Sequence, residues 1–256
     1  MHAKKSVADS YLNIQYLMEL QKDPNFTLYA ALLAVFVILL SIIIIRLLFG
    51  KSKSGKNILI VGLSDAGKTL IFTRLISERF VKTVTSMNKI EAEISVNNKN
   101  VTVVDLPGFD RLRQKFWDDF KNGALAVMFV VDSSQFMTNL RDVAEFLYCI
   151  LTDPVMSKRK LPLLIACNKQ DAPKAKASKV IQNQLEKEIN AIRETKKSAL
   201  SFTDDSDVAR NIGDSGKDFQ FSDLKFKIEF VDCNAVGKDE SESDLSLIWR
   251  WMSKVV

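Results

Sequence analysis

Residues 62–69 read GLSDAGKT and fit the pattern G-x-x-x-x-G-K-[ST]. An apolar run typical of a buried strand, 57–63, leads into this stretch, and residues 69–80 follow it with the apolar spacing of a helix. Glycines allow the backbone N–H groups of such a loop to turn onto phosphate oxygens, and the following helix adds the positive end of its dipole. The sequence therefore predicts a phosphate site between a strand and a helix.

Two side chains of this loop have predicted roles of their own. The Lys68 ammonium is expected to neutralise the β- and γ-phosphates of a nucleotide, and the Thr69 hydroxyl is expected to ligate Mg²⁺. The alternative, a glycine turn that caps a helix, is weak because both the strand and the helix are present. The other loop residues are expected to surround the phosphates: Gly62, Leu63, Ser64, Asp65, Ala66 and Gly67.

A second motif, Asp105-Leu-Pro-Gly108, ends the apolar segment 101–106. The Asp105 carboxylate is expected to reach Mg²⁺ through a water molecule, while the Gly108 N–H meets a γ-phosphate. The pattern D-x-x-G is common by chance, but behind a phosphate-binding loop it is a strong signal. Together the two motifs predict a nucleoside triphosphate bound with Mg²⁺.

The motif Asn168-Lys169-Gln170-Asp171 predicts which base is bound. The Asp171 carboxylate can accept hydrogen bonds from N1–H and the N2 amino group of guanine, whereas adenine would leave it unpaired. Asn168 is expected to bond the ring edge and the phosphate loop, and the Lys169 stem is expected to cover the face of the base. A polar helix cap is the alternative interpretation of N-K-x-D, but its position one β-α unit after the apolar run 124–132 favours guanine.

The stretch Cys233-Asn234-Ala235 follows the last predicted strand. Its backbone amides, that of Ala235 above all, are placed to bind guanine O6. This motif is loose, and it gains its meaning only as the last of four motifs in this order.

Strand-like and helix-like segments alternate over about 200 residues, which predicts an α/β fold with a mostly parallel central sheet flanked by helices. The strand-like segments are 57–63, 89–96, 101–106, 124–132, 161–169 and 226–235. The helix-like segments are 69–80, 141–153, 178–195 and 244–256. Residues 196–220 are polar and have no periodicity, so we expect an exposed, flexible insertion there.

A run without charge precedes this domain. From Pro24 to Ile45 there are 22 uncharged residues, which as a helix would span about 30 Å, the thickness of a bilayer core. A buried core helix normally keeps a polar face, and a cleaved signal peptide would be shorter and start earlier. The sequence therefore predicts a single N-terminal transmembrane helix at 24–49.

Charges on either side of this run predict its orientation. Arg46 and three lysines, Lys51, Lys53 and Lys56, follow the run, whereas Lys22 stands alone before it. By the positive-inside rule the C-terminal side is cytosolic. We expect a short lumenal segment at 1–23, a linker at 50–56 and a cytosolic nucleotide-binding domain at 57–256. The Asn25 glycosylation sequon lies against the membrane, so we expect it to be unused.

Composition excludes several classes of site. The net charge is +5, but the lysines are scattered, so no specific nucleic-acid binding is expected. The three cysteines, Cys149, Cys167 and Cys233, form no zinc pattern and are typical of free thiols in a reducing compartment. His2 is the single histidine and stands beside the start, which excludes a histidine-based catalytic centre in the predicted domain.

The four motifs, in this order and spacing, resemble those of the small Ras-like GTPases, and GLSDAGKT is most similar to the Arf and Sar branch. The stretches RDVAEFLY, LLIACNKQD and KVIQNQLEKEIN, with the anchor and the insertion, resemble the β subunits of the signal recognition particle receptor. The resemblance implies a GTP-binding protein of the rough endoplasmic reticulum membrane. It also implies that the GTP-bound face holds the N-terminal domain of the receptor's α subunit, near the translocon and the ribosome.

The resemblance carries over to further residues. The hydroxyl that ligates Mg²⁺ in the GTP state of such proteins aligns best with Ser86 and next best with Thr85. Phe109 stands where many relatives have Gln and where this subfamily often has His. A phenyl ring cannot orient a water molecule, so slow or negligible intrinsic hydrolysis is expected. Packing of the ring beside Leu106 and Leu112 is the structural alternative.

These observations predict a membrane-anchored GTP-binding subunit in which GTP acts mostly as a structural ligand. The alternative is a trafficking GTPase of the Arf and Sar type that cycles by hydrolysis. A permanent membrane helix forbids cycling off the membrane, and Phe109 disfavours rapid hydrolysis. A kinase or ATPase is disfavoured by the guanine motif.

Overall fold

The computed structural model describes residues 26–49, 55–77, 79–200, 212, 216–238 and 242–256. Two compact units divide the chain, residues 1–52 and 53–256. The predicted lumenal segment, the Asn25 sequon and most of the predicted linker lie outside the described residues, as does most of the predicted insertion.

The first unit contributes one helix, α1 (Phe26–Phe49), which coincides with most of the uncharged run. Its described apolar side chains, such as Leu28, Leu33 and Phe36, are exposed. A search of the described residues finds no helix that is both long and apolar enough to span a membrane.

The second unit is built on a six-stranded sheet with the strand order β2-β3-β1-β4-β5-β6. All neighbouring strands run parallel except β2 and β3, which form an antiparallel pair. The prediction of a mostly parallel central sheet is confirmed. The strands are β1 (Asn57–Val61), β2 (Ile90–Val96), β3 (Lys99–Asp105), β4 (Ala124–Asp132), β5 (Leu163–Asn168) and β6 (Ile228–Asp232). A separate hairpin follows, β7 (Asn234–Lys238) and β8 (Glu242–Asp244).

Helices cover both faces of this sheet, as predicted, because alternate side chains of the central strands point to opposite faces. Leu59 and Val61 of β1 belong to one buried cluster, and Ile58 and Ile60 to the other. The helices are α2 (Lys68–Ser77), α3 (Asp110–Phe120), α4 (Leu140–Leu151), α5 (Pro154–Arg159), α6 (Ser178–Leu200) and α7 (Ser246–Val255). Residues of α3 to α6 join the first cluster, and those of α2 and α7 join the second.

Several elements differ from the prediction. Helix α6 continues to Leu200, so the predicted insertion does not begin at 196. Residues 196–200 read KKSAL, which are good helix formers, and the Lys196 ammonium lies 4.4 Å from the centre of the Tyr148 ring. The predicted strand 226–235 is shorter, since β6 ends at Asp232 and β7 then turns away. Helices α3 and α5 and the hairpin of β7 and β8 were not predicted.

The carboxyl ends of the parallel strands all meet at one edge of the sheet. β1 ends there before the phosphate loop, β3 ends with Asp105, β4 with Asp132 and β5 with Asn168. The loop after β6 arrives at the same edge and contains Cys233. The fold therefore brings the four sequence motifs to one place.

Candidate nucleotide-binding site

The loop between β1 and α2 has a backbone that only small residues permit at two positions. Gly62 has φ 145° and Gly67 has φ 91°, values that side chains other than hydrogen rarely allow. A Cβ atom on Gly62 would lie 2.3 Å from the Val130 carbonyl oxygen, and one on Gly67 would lie 2.3 Å from Asn168 Nδ2. The loop borders a cavity of about 230 Å³, which residues 83–86, Gly108 and Lys169 also line.

Lys68 extends its ammonium along this loop and is almost fully buried. Its Nζ donates to the carbonyl oxygen of Leu63 at 2.7 Å. Burial lowers the pKa of Lys68 to about 8, although Asp105 and Asp65 act in the opposite direction. A Cβ atom on Gly108 would lie 2.3 Å from this Nζ, so the two predicted phosphate contacts lie beside each other. The ammonium has a strong need for an anionic partner here.

A cluster of oxygen atoms lies at the start of α2. The Thr69 hydroxyl donates to Asp105 Oδ2 at 2.6 Å and lies 3.0 Å from the Ser86 hydroxyl. Asp105 is fully buried, and among the described residues its Oδ1 has no hydrogen-bond partner. Burial raises the pKa of Asp105, while the Thr69 hydroxyl and Lys68 oppose that rise. Thr85 lines the same cavity, but it is Ser86 whose hydroxyl contacts Thr69.

This donor set fits Mg²⁺. Hard cations of this kind are bound by carboxylate and hydroxyl oxygens, often with water molecules retained. Asp105 Oδ1 is a buried, unpartnered carboxylate oxygen, which normally signals a missing ligand. Thr69, Ser86 and Asp105 therefore have the chemistry that the sequence predicted for the metal.

Asn168 joins two of the predicted binding segments. Its Nδ2 donates to the Ala66 carbonyl oxygen at 2.9 Å, and its Oδ1 accepts from the Ala235 N–H at 3.1 Å. Cys233 Sγ lies 4.0 Å from the same Oδ1. The contact with the phosphate loop is the predicted one. The Ala235 N–H, which was expected to face guanine O6, is instead directed at Asn168.

Lys169 borders the cavity and is held by a residue that the sequence analysis did not identify. Its Nζ lies 2.6 Å from Asp132 Oδ2, and its backbone is left-handed with φ 65°. Asp132 also accepts from the Ser134 N–H and the Ser134 hydroxyl at 2.9 and 2.6 Å. Burial alone would raise the pKa of Asp132, but Lys169 and Ser134 outweigh it and hold that pKa below its ordinary value. The sequence feature that could have identified Asp132 is its position at the end of the apolar strand β4.

Asp171, two residues after Lys169, is exposed to solvent. No residue in the described part of the chain forms a hydrogen bond with its carboxylate, so both oxygens are available to a ligand. The neighbouring Gln170 shapes this segment, because its amide nitrogen donates to the Ser133 hydroxyl at 3.0 Å and to the Lys176 carbonyl at 2.9 Å. Asp171 does not line the cavity that contains the phosphate-loop residues.

Phe109 lies at the first turn of α3 and is 45% exposed. Its carbonyl oxygen accepts from the Leu112 and Arg113 N–H groups at 2.9 Å each. The side chain is therefore partly covered rather than buried. The backbone hydrogen bonds to its carbonyl oxygen start α3.

Comparisons with known proteins point in one direction. The family model described as signal recognition particle receptor beta subunit matches residues 53–228. The signal recognition particle receptor subunit beta of Rattus norvegicus is 42% identical over 241 residues, which cover 92% of this chain and 89% of that protein.

Solved structures agree. The structure of the mammalian SRP receptor has a TM-score of 0.69 and 42% identity, and the match covers 78% of this chain and 100% of that one. The SRb-GTP/SRX complex from Chaetomium thermophilum has a TM-score of 0.57 at 22% identity, covering 77% and 97%, and shows the fold alone. The protein described here therefore belongs to the family of signal recognition particle receptor beta subunits.

Proposed function

We propose that the protein is a membrane-anchored GTP-binding subunit that holds the receptor's α subunit at the endoplasmic reticulum membrane during co-translational protein targeting. The observation that supports this most directly is the contact of Thr69 with both Ser86 and Asp105. Through that contact the start of α2 meets the segment before β2, which contains Ser86, and the end of β3, where Asp105 lies. A bound triphosphate would thereby hold those segments in one arrangement.

The nucleotide would be held by groups already close together. The backbone of residues 62–69, the Lys68 ammonium and Gly108 would bind phosphates. Asn168, Lys169 and Asp171, with the loop 233–235, would bind guanine. Mg²⁺ would be held by Thr69 and Ser86, and by Asp105 through water. Bound there, the metal would supply positive charge that offsets the phosphate oxygens.

The docking role is supported by exposed apolar side chains on the same segments. Val84 is 85% exposed and Met87 is 68% exposed, and both belong to the stretch that contains Ser86. Ile90, three residues after Met87, is also exposed. So is Phe109, which directly follows Gly108. Exposed apolar patches of this kind mark protein contacts. Membership of the family of signal recognition particle receptor beta subunits supports the receptor's α subunit as the partner.

The membrane anchor is proposed from the sequence. The 22 uncharged residues from Pro24 to Ile45 suffice for a bilayer core, and α1 covers most of them. The exposed leucines of α1 are compatible with lipid as a solvent. We propose a single pass with the N-terminus in the lumen and residues 57–256 in the cytosol.

Slow hydrolysis is part of the proposal. Phe109, directly after Gly108, occupies the position at which Ras-type enzymes place a water-orienting side chain. Its ring is exposed and offers no polar atom to a water molecule. GTP is therefore expected to remain bound as a structural ligand rather than to be consumed rapidly.

The nucleotide recovered with the protein tests this proposal. The full chain is purified in mild detergent together with its membrane partners, and the bound nucleotide is released and identified by chromatography. GTP at close to one per chain is expected. Predominantly GDP would instead favour the cycling trafficking GTPase, and absence of any guanine nucleotide would refute the binding site.

A further inference from the structure

Arg74 on α2 is buried, with 4% of its surface exposed, and contacts residues 233–237, which form the loop after β6 together with the first residues of β7. Its Nε donates to the carbonyl oxygen of Ala235 at 3.2 Å, and its Nη2 donates to that of Val236 at 3.2 Å. A guanidinium can serve two neighbouring carbonyls at once, which a lysine ammonium does less well. The phosphate-binding helix is thus joined to the loop predicted to meet the base.

The same loop is fixed from its amide side as well. Asn234 Oδ1 accepts from the Val236 N–H at 3.1 Å and from the Gly237 N–H at 2.8 Å. Gly237 has φ 79°, in the left-handed region that glycine tolerates. The Ala235 N–H donates to Asn168, as described above. Arg74 therefore binds the carbonyl side of a loop whose amides are already ordered.

These contacts close a ring through the site. Asn168 Nδ2 donates to the Ala66 carbonyl in the phosphate loop, and this loop continues into α2, which contains Arg74. The ring runs from Ala66 to Asn168, then to Ala235, and back through Arg74 to α2. Loss of one link would loosen the loop and the amide of Asn168 together.

We propose that Arg74 is a positioning residue that fixes the loop 233–237 against α2 and so determines how long a guanine nucleotide stays bound. This inference rests on the proposed guanine-nucleotide function. Arg74 acts through Ala235 and Asn168 and does not touch the nucleotide. Its effect should fall on the base rather than on the γ-phosphate.

The test compares Arg74→Met with Arg193→Met in the full chain. Arg193 on α6 is a second buried arginine, and it donates to two backbone carbonyls, those of Ile212 and Lys217. Dissociation rates are measured for GTP, for GDP and for 7-deazaguanosine triphosphate, which lacks the N7 acceptor on the ring edge that Asn168 is expected to bond but keeps O6, N1–H and the N2 amino group. Arg74→Met is expected to speed GTP and GDP release by the same factor of about tenfold, the ratio that about 1.4 kcal/mol produces.

The base analogue and the conservative variant separate positioning from general damage. Release of 7-deazaguanosine triphosphate should change much less in Arg74→Met, because its ring-edge contact with Asn168 is already missing. Arg74→Lys should give an intermediate GTP rate, and Arg193→Met should leave all three rates unchanged even where it lowers the melting temperature.

Four outcomes overturn the inference. Equal acceleration for GTP and 7-deazaguanosine triphosphate, or equal effects of Arg74→Met and Arg193→Met, would assign Arg74 a merely structural role. Unchanged GTP release in both Arg74 variants, with tight binding by the wild type, would refute the inference and leave the proposed function standing. Failure of the wild type to bind guanine nucleotide would refute both.

Discussion

Asp171 decides the choice of base in this account, and its exposed carboxylate makes that claim testable. Replacement by Asn leaves an amide that cannot accept from both guanine donors, so GTP affinity should fall at least about 100-fold. Xanthine offers a carbonyl where guanine has its amino group, so the Asp171→Asn variant should prefer xanthosine triphosphate.

Competition between the two triphosphates for the site measures this preference. Lys174→Asn, a change of an exposed residue in the same loop, serves as the control and should keep the guanine preference. Unchanged GTP affinity in Asp171→Asn would show that the base lies elsewhere.

Phe109 leads to a second expectation at the residue scale. Single-turnover hydrolysis of bound GTP should be slow in the wild type because no side chain at this position orients water. Phe109→Gln should raise the rate, by about tenfold or more, while GTP affinity changes little. Phe109→Leu provides the apolar control and should stay slow. A wild-type rate comparable to that of Ras-type enzymes assisted by an activating protein would contradict the docking account.

At the scale of elements, Asp153 connects three helical segments. Its carboxylate accepts from the Val155 N–H at 2.8 Å, which caps α5, and from Trp117 Nε1 of α3 at 3.1 Å. The Lys121 ammonium lies 2.8 Å from it. Asp153→Ala would leave a buried indole N–H unpaired and remove a helix cap, at a cost of about 2–3 kcal/mol of unfolding free energy.

The pH dependence of this cost has a defined sign. Burial alone would raise the pKa of Asp153, but Lys121, the Val155 N–H and the Trp117 indole outweigh it, so the pKa is lowered. A carboxyl whose folded pKa is depressed stabilises the fold above its unfolded pKa of about 3.9 and loses that contribution as pH falls through the folded value. The stability gap between wild type and Asp153→Asn should therefore shrink from pH 7 toward pH 3, as urea denaturation would measure. A gap independent of pH would contradict the assignment.

Helix α3 was missed although Leu112, Phe116 and Phe120 have helical spacing; what its sequence could not show is its contact with a distant residue. Its eleven residues, DRLRQKFWDDF, are mostly charged, and Trp117 alone is buried among them. The partner of that indole, Asp153, lies 36 positions away, so no local pattern reveals the contact. The central strands β1, β4 and β5 were predictable because both of their faces are buried and nearly every residue is apolar.

The candidate site likewise contains some residues that could be named from the sequence and others that could not. The residues proposed to bind phosphate and guanine could be named from the sequence because their spacing follows from the chemistry of one ligand. Arg74 and Asp132 were missed, because their importance depends on which distant segment each one meets. Arg74 and Ala235 are 161 positions apart. Such pairs become visible only when the ends of the parallel strands have been brought together.

At the scale of the whole molecule, we expect bound GTP to be required for association with the α subunit. The segments around Ser86 and Asp105 meet at Thr69, and the apolar side chains beside them are exposed. A γ-phosphate would order these segments, whereas GDP would leave them without that contact. Affinity for the α subunit should therefore depend on which nucleotide is bound.

The most direct test of this central claim is the dissociation constant of the α subunit's N-terminal domain for the full chain in detergent, measured with GTP and with GDP. The account predicts binding at least about 100-fold tighter with GTP, a difference of about 2.7 kcal/mol. Ser86→Ala should reduce the difference, while Ser222→Ala, a change of an exposed residue outside the proposed nucleotide site, should keep it. Equal affinity with the two nucleotides would contradict the account.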